Sequence, residues 1–209
     1  MWRAETPATT LFSGLETRTI MTMHKKTNTC SPIDEIDIDG RTFCLHKFIY
    51  DPENGLNIKL SDRLDPTREL HRYGQGPFCK FRIKNHLNEK GLYCYAVKDD
   101  FEDDGIKYIG KVTGNKYYIK YIGKVTGNKM TFGTRFNAGY GNISPYNCYK
   151  KGQSTNCHIN SIVNKELLDG REILVGFYVM ENDIEISNLE KELIENNNPG
   201  WNIQHNHPK

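Results

Sequence analysis

Apolar and polar positions change period several times along the chain, and each change predicts an element. Residues 37–48 (DIDGRTFCLHKF) read as a hairpin around Asp39-Gly40, a pair suited to a tight turn. Residues 51–76 are polar and rich in turn formers. Residues 78–83 (FCKFRI) alternate as a strand does, and 91–97 (GLYCYAV) form a second strand. A polar turn, FEDDG at 101–105, leads into the strand-like IKYIGKV. Residues 131–138 are a short helix candidate, and 139–153, with glycines and Pro145, are a loop. Residues 155–168 suit a helix ended at Gly170, 172–180 (EILVGFYVM) a buried strand, and 183–197 a helix stopped by Pro199-Gly200. From Gly91 onward the order is strand, strand, helix, helix, strand, helix. With the first two strands paired as a hairpin, it predicts a small α/β sandwich. Its core sheet has three antiparallel strands flanked by helices, and a β-rich extension precedes it.

One stretch repeats itself. The eleven residues 106–116 (IKYIGKVTGNK) return unchanged at 119–129. Two copies are too few for a solenoid, so the unit reads as one duplicated strand and turn. Either copy could supply the second sheet strand. If the second does, the connection to the helix at 131–138 stays short and the extra residues enlarge a hairpin loop. That enlargement costs about 1 kcal/mol, because loop closure grows slowly with length. The second copy is therefore expected to be the working one, with the first as an extra β-excursion. Identical patterns also allow the two registers to exchange.

Composition narrows the class. With hydrophobic residues at 37% and charged residues at 26% of 209, the chain suits one domain with extensions. No apolar run is long enough to span a bilayer, so no membrane partner is expected. A net charge of +2 says little, but its distribution says more. Residues 105–165 contain ten Lys and Arg and no Asp or Glu, interleaved with aromatics. Discounting the three lysines of the extra copy leaves seven, still the footprint of a polyanion partner. The six cysteines (Cys30, Cys44, Cys79, Cys94, Cys148, Cys157) form no C-x-x-C pair, which argues against a zinc ribbon or redox motif. They read as buried free thiols, consistent with a cytoplasmic location. The expected organisation is a disordered leader at 1–23, lacking the features of a signal peptide. An extension of unknown role follows at 24–85, then the main domain at 86–204 and a loose polar tail at 205–209.

The last helix carries an anomaly. Steps of 100° place Ile186, Leu189, Leu193 and Ile194 on one stripe, and Glu190 falls near its centre. A half-buried carboxylate is costly unless paired or bound to metal. Ser187-x-x-Glu190 also matches a capping box, but Asn182 and Asp183 are better placed as caps. A lone carboxylate beside a basic groove suits one Mg²⁺ shared with a phosphate.

Taken in order, these residues resemble the GIY-YIG nuclease family. Its first signature is matched by Gly91-Leu92-Tyr93, and its second by Tyr108-Ile109-Gly110 and again by Tyr121-Ile122-Gly123. The family's helical arginine, later glutamate and final asparagine are matched by Arg135, Glu190 and Asn202. The resemblance covers 91–204, and the segment 139–160 is similar to one bacterial branch. Leu92 stands where the family has isoleucine. Some members place a histidine one turn after the arginine, where this chain has Gly139 and then Tyr140; His158 is the alternative histidine. The tandem copy has no counterpart.

The resemblance implies hydrolysis of DNA phosphodiester bonds with one Mg²⁺ or Mn²⁺ held by Glu190. Arg135 would donate to the pentacoordinate phosphate. Tyr121, or Tyr108 if the first copy is used, would deprotonate the attacking water. Its phenol would be lowered by the cation and by the lysine of the same copy, Lys124 or Lys111. Tyr93 would line the pocket, and Asn202 would anchor it through its amide. Contacts to nucleic acid are expected from Lys124, Lys129, Arg135, Tyr140, Lys150, Lys151 and His158. A catalytically impaired DNA-binding module of the same fold, or an RNA-directed nuclease, would share these features.

Overall fold

The computed structural model describes residues 33–50, 58, 60–98, 111–112 and 115–203. Strands β1 (Asp34–Ile38) and β2 (Arg41–Lys47) form the expected hairpin, closed by the pair Ile38↔Arg41. Asp39 and Gly40 take φ of 50° and 78° at the turn, which is why a short polar residue and a glycine stand there. The hairpin does not form a layer of its own. Strand β2 pairs antiparallel with β8 (Ile173–Val179), Leu45 opposite Gly176, and so extends the main sheet.

That sheet has six strands rather than three, in the order β1-β2-β8-β5-β7-β6, with every pair antiparallel. Here β5 is Gly91–Lys98, β6 is Lys111–Val112 and β7 is Asn115–Val125. The three expected strands are β5, β7 and β8; the hairpin lengthens one side and β6 the other. The remaining strands, β3 (Ile49–Tyr50) and β4 (Phe81–Arg82), pair only with each other. Little of the strand expected at 78–83 forms, because the Asn160 side chain takes both the N–H and the C=O of Cys79 at 2.8 Å each.

Helices cover both faces. On one, Ile36, Phe43, Leu45, Leu92, Ile119 and Ile122 pack with Ile186, Leu193 and Ile194 of α3 (Asp183–Asn197). On the other, Tyr93, Tyr95, Val125, Val175 and Phe177 pack with a π-wound helix, Thr134–Tyr140, and with α2 (Ser154–Leu168). A short helix, α1 (Pro145–Cys148), lies inside the expected loop. Asn182 caps α3 by accepting from the N–H groups of Ile184 and Glu185, so Ser187 and Glu190 lie in the helix body and form no capping box. The architecture is a mixed α/β fold, an antiparallel sheet between helices.

The second copy of the repeat lies in β7 and pairs with β5, Tyr93 opposite Gly123. Of the first copy, Lys111, Val112, Asn115 and Lys116 form the β6–β7 hairpin, and Tyr108 lies outside the described residues. The flanks break the tie between identical copies. Tyr117 and Tyr118 precede the second copy, opposite Lys98 and Val97, and are only 3% and 6% exposed. Asp104-Gly105 precedes the first. A slip of register would replace two buried aromatics, each contributing about 1.5–3 kcal/mol as large buried side chains do, with a carboxylate and a glycine.

Cys79, Cys94, Cys148 and Cys157 are buried free thiols, and Cys44 is half-buried. Among the described residues no helix is long and apolar enough to cross a membrane.

Candidate active site at the edge of the sheet

The site begins with an irregularity in β7. Pairing with β5 runs Tyr95↔Tyr121 and then Ala96↔Ile119, which leaves Lys120 as an extra residue. Side chains alternate along a strand, so one unpaired residue re-aims everything beyond it. Ile119 therefore faces α3 while Tyr121, two positions on, joins Tyr93 and Tyr95 on the opposite face. The residues after α3 hold this geometry. Trp201 N–H donates to Lys120 C=O at the bulge (2.8 Å). The Asn202 amide accepts from Ile122 N–H (2.9 Å) and donates to Ile122 C=O (2.7 Å). Tyr121 is thus bracketed on both sides by bonds from the residues after α3.

Behind Tyr121 lies a tyrosine cluster. Tyr140 Oη is 2.7 Å from Tyr93 Oη and 3.5 Å from Tyr121 Oη. Gly123 makes room for it: a Cβ there would sit 2.5 Å from Tyr93 Oη and 2.7 Å from the Tyr121 ring. The π winding, marked by Gly141 N–H donating to Phe136 C=O at 2.7 Å, matters here. Such a turn advances by five residues rather than four. Tyr140, not Gly139, consequently stands one turn beyond Arg135, whose Cζ is 5.6 Å from the Tyr140 ring. The buried Asn160 amide donates to Tyr140 C=O (2.5 Å) and ties the helix end to Cys79.

Burial pushes the phenols of Tyr93 and Tyr121 well above the usual tyrosine range, and the neighbouring tyrosines add to it. Arg135 pulls Tyr93 the other way without prevailing. Among the protein's own side chains, then, the expected lowering of the working phenol does not occur. Lys124 instead turns to Glu190, 2.9 Å away. Burial also works against the charge on Arg135, but the surrounding phenols outweigh it and hold the guanidinium protonated. Its Nε is buried with no hydrogen-bond partner among the described residues, an expense that native structures keep for a reason.

Glu190 projects from the packed side of α3, its side chain 14% exposed, and its pairing with Lys124 (35% exposed) meets the requirement that its position on the stripe imposed. Tyr121, Glu190, Trp201 and Asn202 line an open cavity of about 390 Å³ beside β7. Arg72, Tyr73 and His158 line it too. Burial lowers the His158 pKa and the charge of Arg72 adds to this, against a raising bond to the Trp201 backbone. Tyr93, Arg135 and Tyr140 stand behind Tyr121 and do not line the cavity. Lys129 is exposed on the turn after β7, Lys150 is ion-paired with Glu69, and Lys151 is exposed at a φ of 70°; none of the three lines the cavity. Among the described residues no three His, Cys, Asp or Glu side chains gather as a metal site.

Asn160, Arg72, Tyr73 and Trp201 were not singled out by sequence. Asn160 left a signal: Asn156, Asn160 and Asn164 recur every four residues along α2 and are all buried, a polar row where a core-facing helix ordinarily carries apolar residues. Comparisons of the chain with protein-family models, with curated proteins and with solved structures find no match.

Proposed function

We propose that this chain is a DNA endonuclease of the GIY-YIG type, hydrolysing phosphodiester bonds with one divalent cation. The observation that carries the reading is convergence. Tyr121 and Glu190, from strand and helix, share one cavity with Asn202, while Tyr93, Tyr140 and Arg135 stand directly behind. All of them but Tyr140 were matched by resemblance while scattered over more than a hundred positions.

Glu190 fits Mg²⁺ or Mn²⁺: it offers a hard oxygen donor at the wall of a cavity with room for a partly hydrated ion. When bound, the cation neutralises charge developing on the phosphate and leaving oxygen. The chain's own residues do the rest. Tyr121 is the phenol at the cavity; as the phenolate, its own proton given up to solvent, it accepts a proton from the attacking water. Tyr140 and Tyr93 continue its hydrogen bonds inward, and Arg135 supplies positive charge beside that phenolate. Lys124 balances the Glu190 carboxylate. Trp201 and Asn202 hold Tyr121 in place through the backbone.

The test is cleavage of supercoiled plasmid in Mg²⁺ against EDTA, with Glu190→Gln as the companion protein. Metal-dependent nicking by the wild type, lost in Glu190→Gln with duplex binding retained, is the expected result. Wild-type rates in Glu190→Gln would overturn the metal assignment. Binding without cleavage by the wild type would make the chain a DNA-binding module.

A further inference from the structure

Part of the cavity lining comes from a segment to which the sequence assigned no role. His71, Arg72 and Tyr73 precede β4, and they line the cavity beside the first turns of α2. The segment is held in place. His71 Nε2–H donates to Asn147 C=O (2.6 Å), while its Nδ1 accepts from Tyr73 N–H (3.1 Å). Its backbone N–H donates to Cys148 C=O (3.0 Å), and a Cβ on Gly74 would lie 2.2 Å from that same oxygen. The segment is therefore pressed against α1 with no space to spare.

This foundation carries a short stack. The Tyr73 ring lies 4.3 Å from His158, and the Arg72 guanidinium carbon lies 4.4 Å over the Tyr73 ring. Arg72 is exposed and forms no ion pair with a described carboxylate. A guanidinium stacked by its face keeps its N–H edge free, and that edge matches two oxygens of a phosphate. Stacking also limits the side-chain entropy lost when the anion arrives.

We propose that Arg72, on its Tyr73–His158 platform, binds a backbone phosphate of the nucleic acid next to the one at Glu190. This rests on the nuclease reading and deepens it. The segment before β4 becomes part of the substrate groove, lining the same cavity as Glu190. Tyr73 is a positioning residue, since it acts through Arg72.

The test measures duplex binding by anisotropy in the Glu190→Gln protein, with and without Arg72→Gln, from 50 to 200 mM KCl. Losing one phosphate contact lowers the slope of log affinity against log salt by about 0.9. Arg72→Gln is expected to show that drop and to bind about tenfold more weakly at low salt. Tyr73→Leu keeps the charge, so it is expected to weaken binding while leaving the slope in place. In the cleaving protein, Arg72→Gln is expected to raise KM more than it lowers kcat. Unchanged affinity and slope in Arg72→Gln, while the wild type cuts and Glu190→Gln does not, would overturn the inference and leave the nuclease reading standing. A chain that neither binds nor cuts duplex overturns both.

Discussion

Asn202→Ala isolates the clamp on β7. The side chain satisfies both backbone groups of Ile122, at 2.9 and 2.7 Å, on a strand flank that no strand among the described residues covers there. Alanine leaves a donor and an acceptor without that partner. Each buried group so orphaned costs about 1–3 kcal/mol. The adjoining cavity admits water to part of the gap, which puts the expected loss near about 2–3 kcal/mol, or about 1 M in the urea midpoint. Asn202→Asp sharpens the test, because it keeps the acceptor for Ile122 N–H and sets a carboxylate oxygen against Ile122 C=O. At neutral pH it should be no more stable than the alanine variant. On acidification, protonation restores a donor, so Asp should recover relative to Ala. Equilibrium unfolding of the three proteins at pH 7 and pH 5 reads all of this. A loss below about 0.5 kcal/mol for Asn202→Ala, the scale of an ordinary surface change, would refute the view that this amide holds the strand.

Three further outcomes are expected. Gly123→Ala drives a methyl to within 2.5 Å of Tyr93 Oη and should displace the tyrosine pair; a displacement of about 1 Å costs roughly a hundredfold in rate, and cleavage within twofold of wild type would show that Tyr93 and Tyr121 need no fixed spacing. With Tyr121 held well above its usual pKa, kcat/KM should climb about tenfold per pH unit from 6 to 9 without levelling; a plateau near neutrality would remove Tyr121 from the base role, and equal partial losses in Tyr108→Phe and Tyr121→Phe would point to exchange between the two registers. His46 is buried beside His86, and burial first, then that neighbour, lower its pKa from 6.5 to about 4, so the unfolded chain binds the proton more readily. Stability should be complete above about pH 6.5 and fall by up to about 3 kcal/mol toward pH 4; an identical decline in His46→Gln between pH 7 and 5 would place its source elsewhere.

Helix α3 was legible to its ends, because Asn182 and Pro199 mark them locally and the apolar stripe between them is regular. Glu190 was legible for the same reason: a break in a regular pattern is visible. The hairpin was legible from Asp39-Gly40, but its partner was not, since nothing within 34–47 specifies that β2 seeks β8 more than a hundred residues later. The bulge at Lys120 left no mark, because an extra residue shifts the alternation without changing composition. The π turn was hidden likewise; read with an ordinary turn, Gly139 occupies the position that Tyr140 takes. The strand expected at 78–83 lost to a side chain, Asn160, that competes for the same backbone groups from 81 residues away. The choice between repeat copies depended on Tyr117 and Tyr118 just outside them, so comparing the copies alone could not make it.

The clamp from Trp201 and Asn202 also sets an order of events in folding. It reaches back 80 residues to Ile122. Contacts between distant residues form only after the intervening chain has lost its freedom, whereas hairpins such as β1–β2 close early. Tyr121 is therefore aimed only once α3 has docked and delivered the residues that follow it. Opening of the clamp alone would leave the sheet and its tyrosines in place without the bonds that aim Tyr121. Protection of the Ile122 amide from hydrogen exchange would then report on the readiness of the site, in the same units as the stability of the fold.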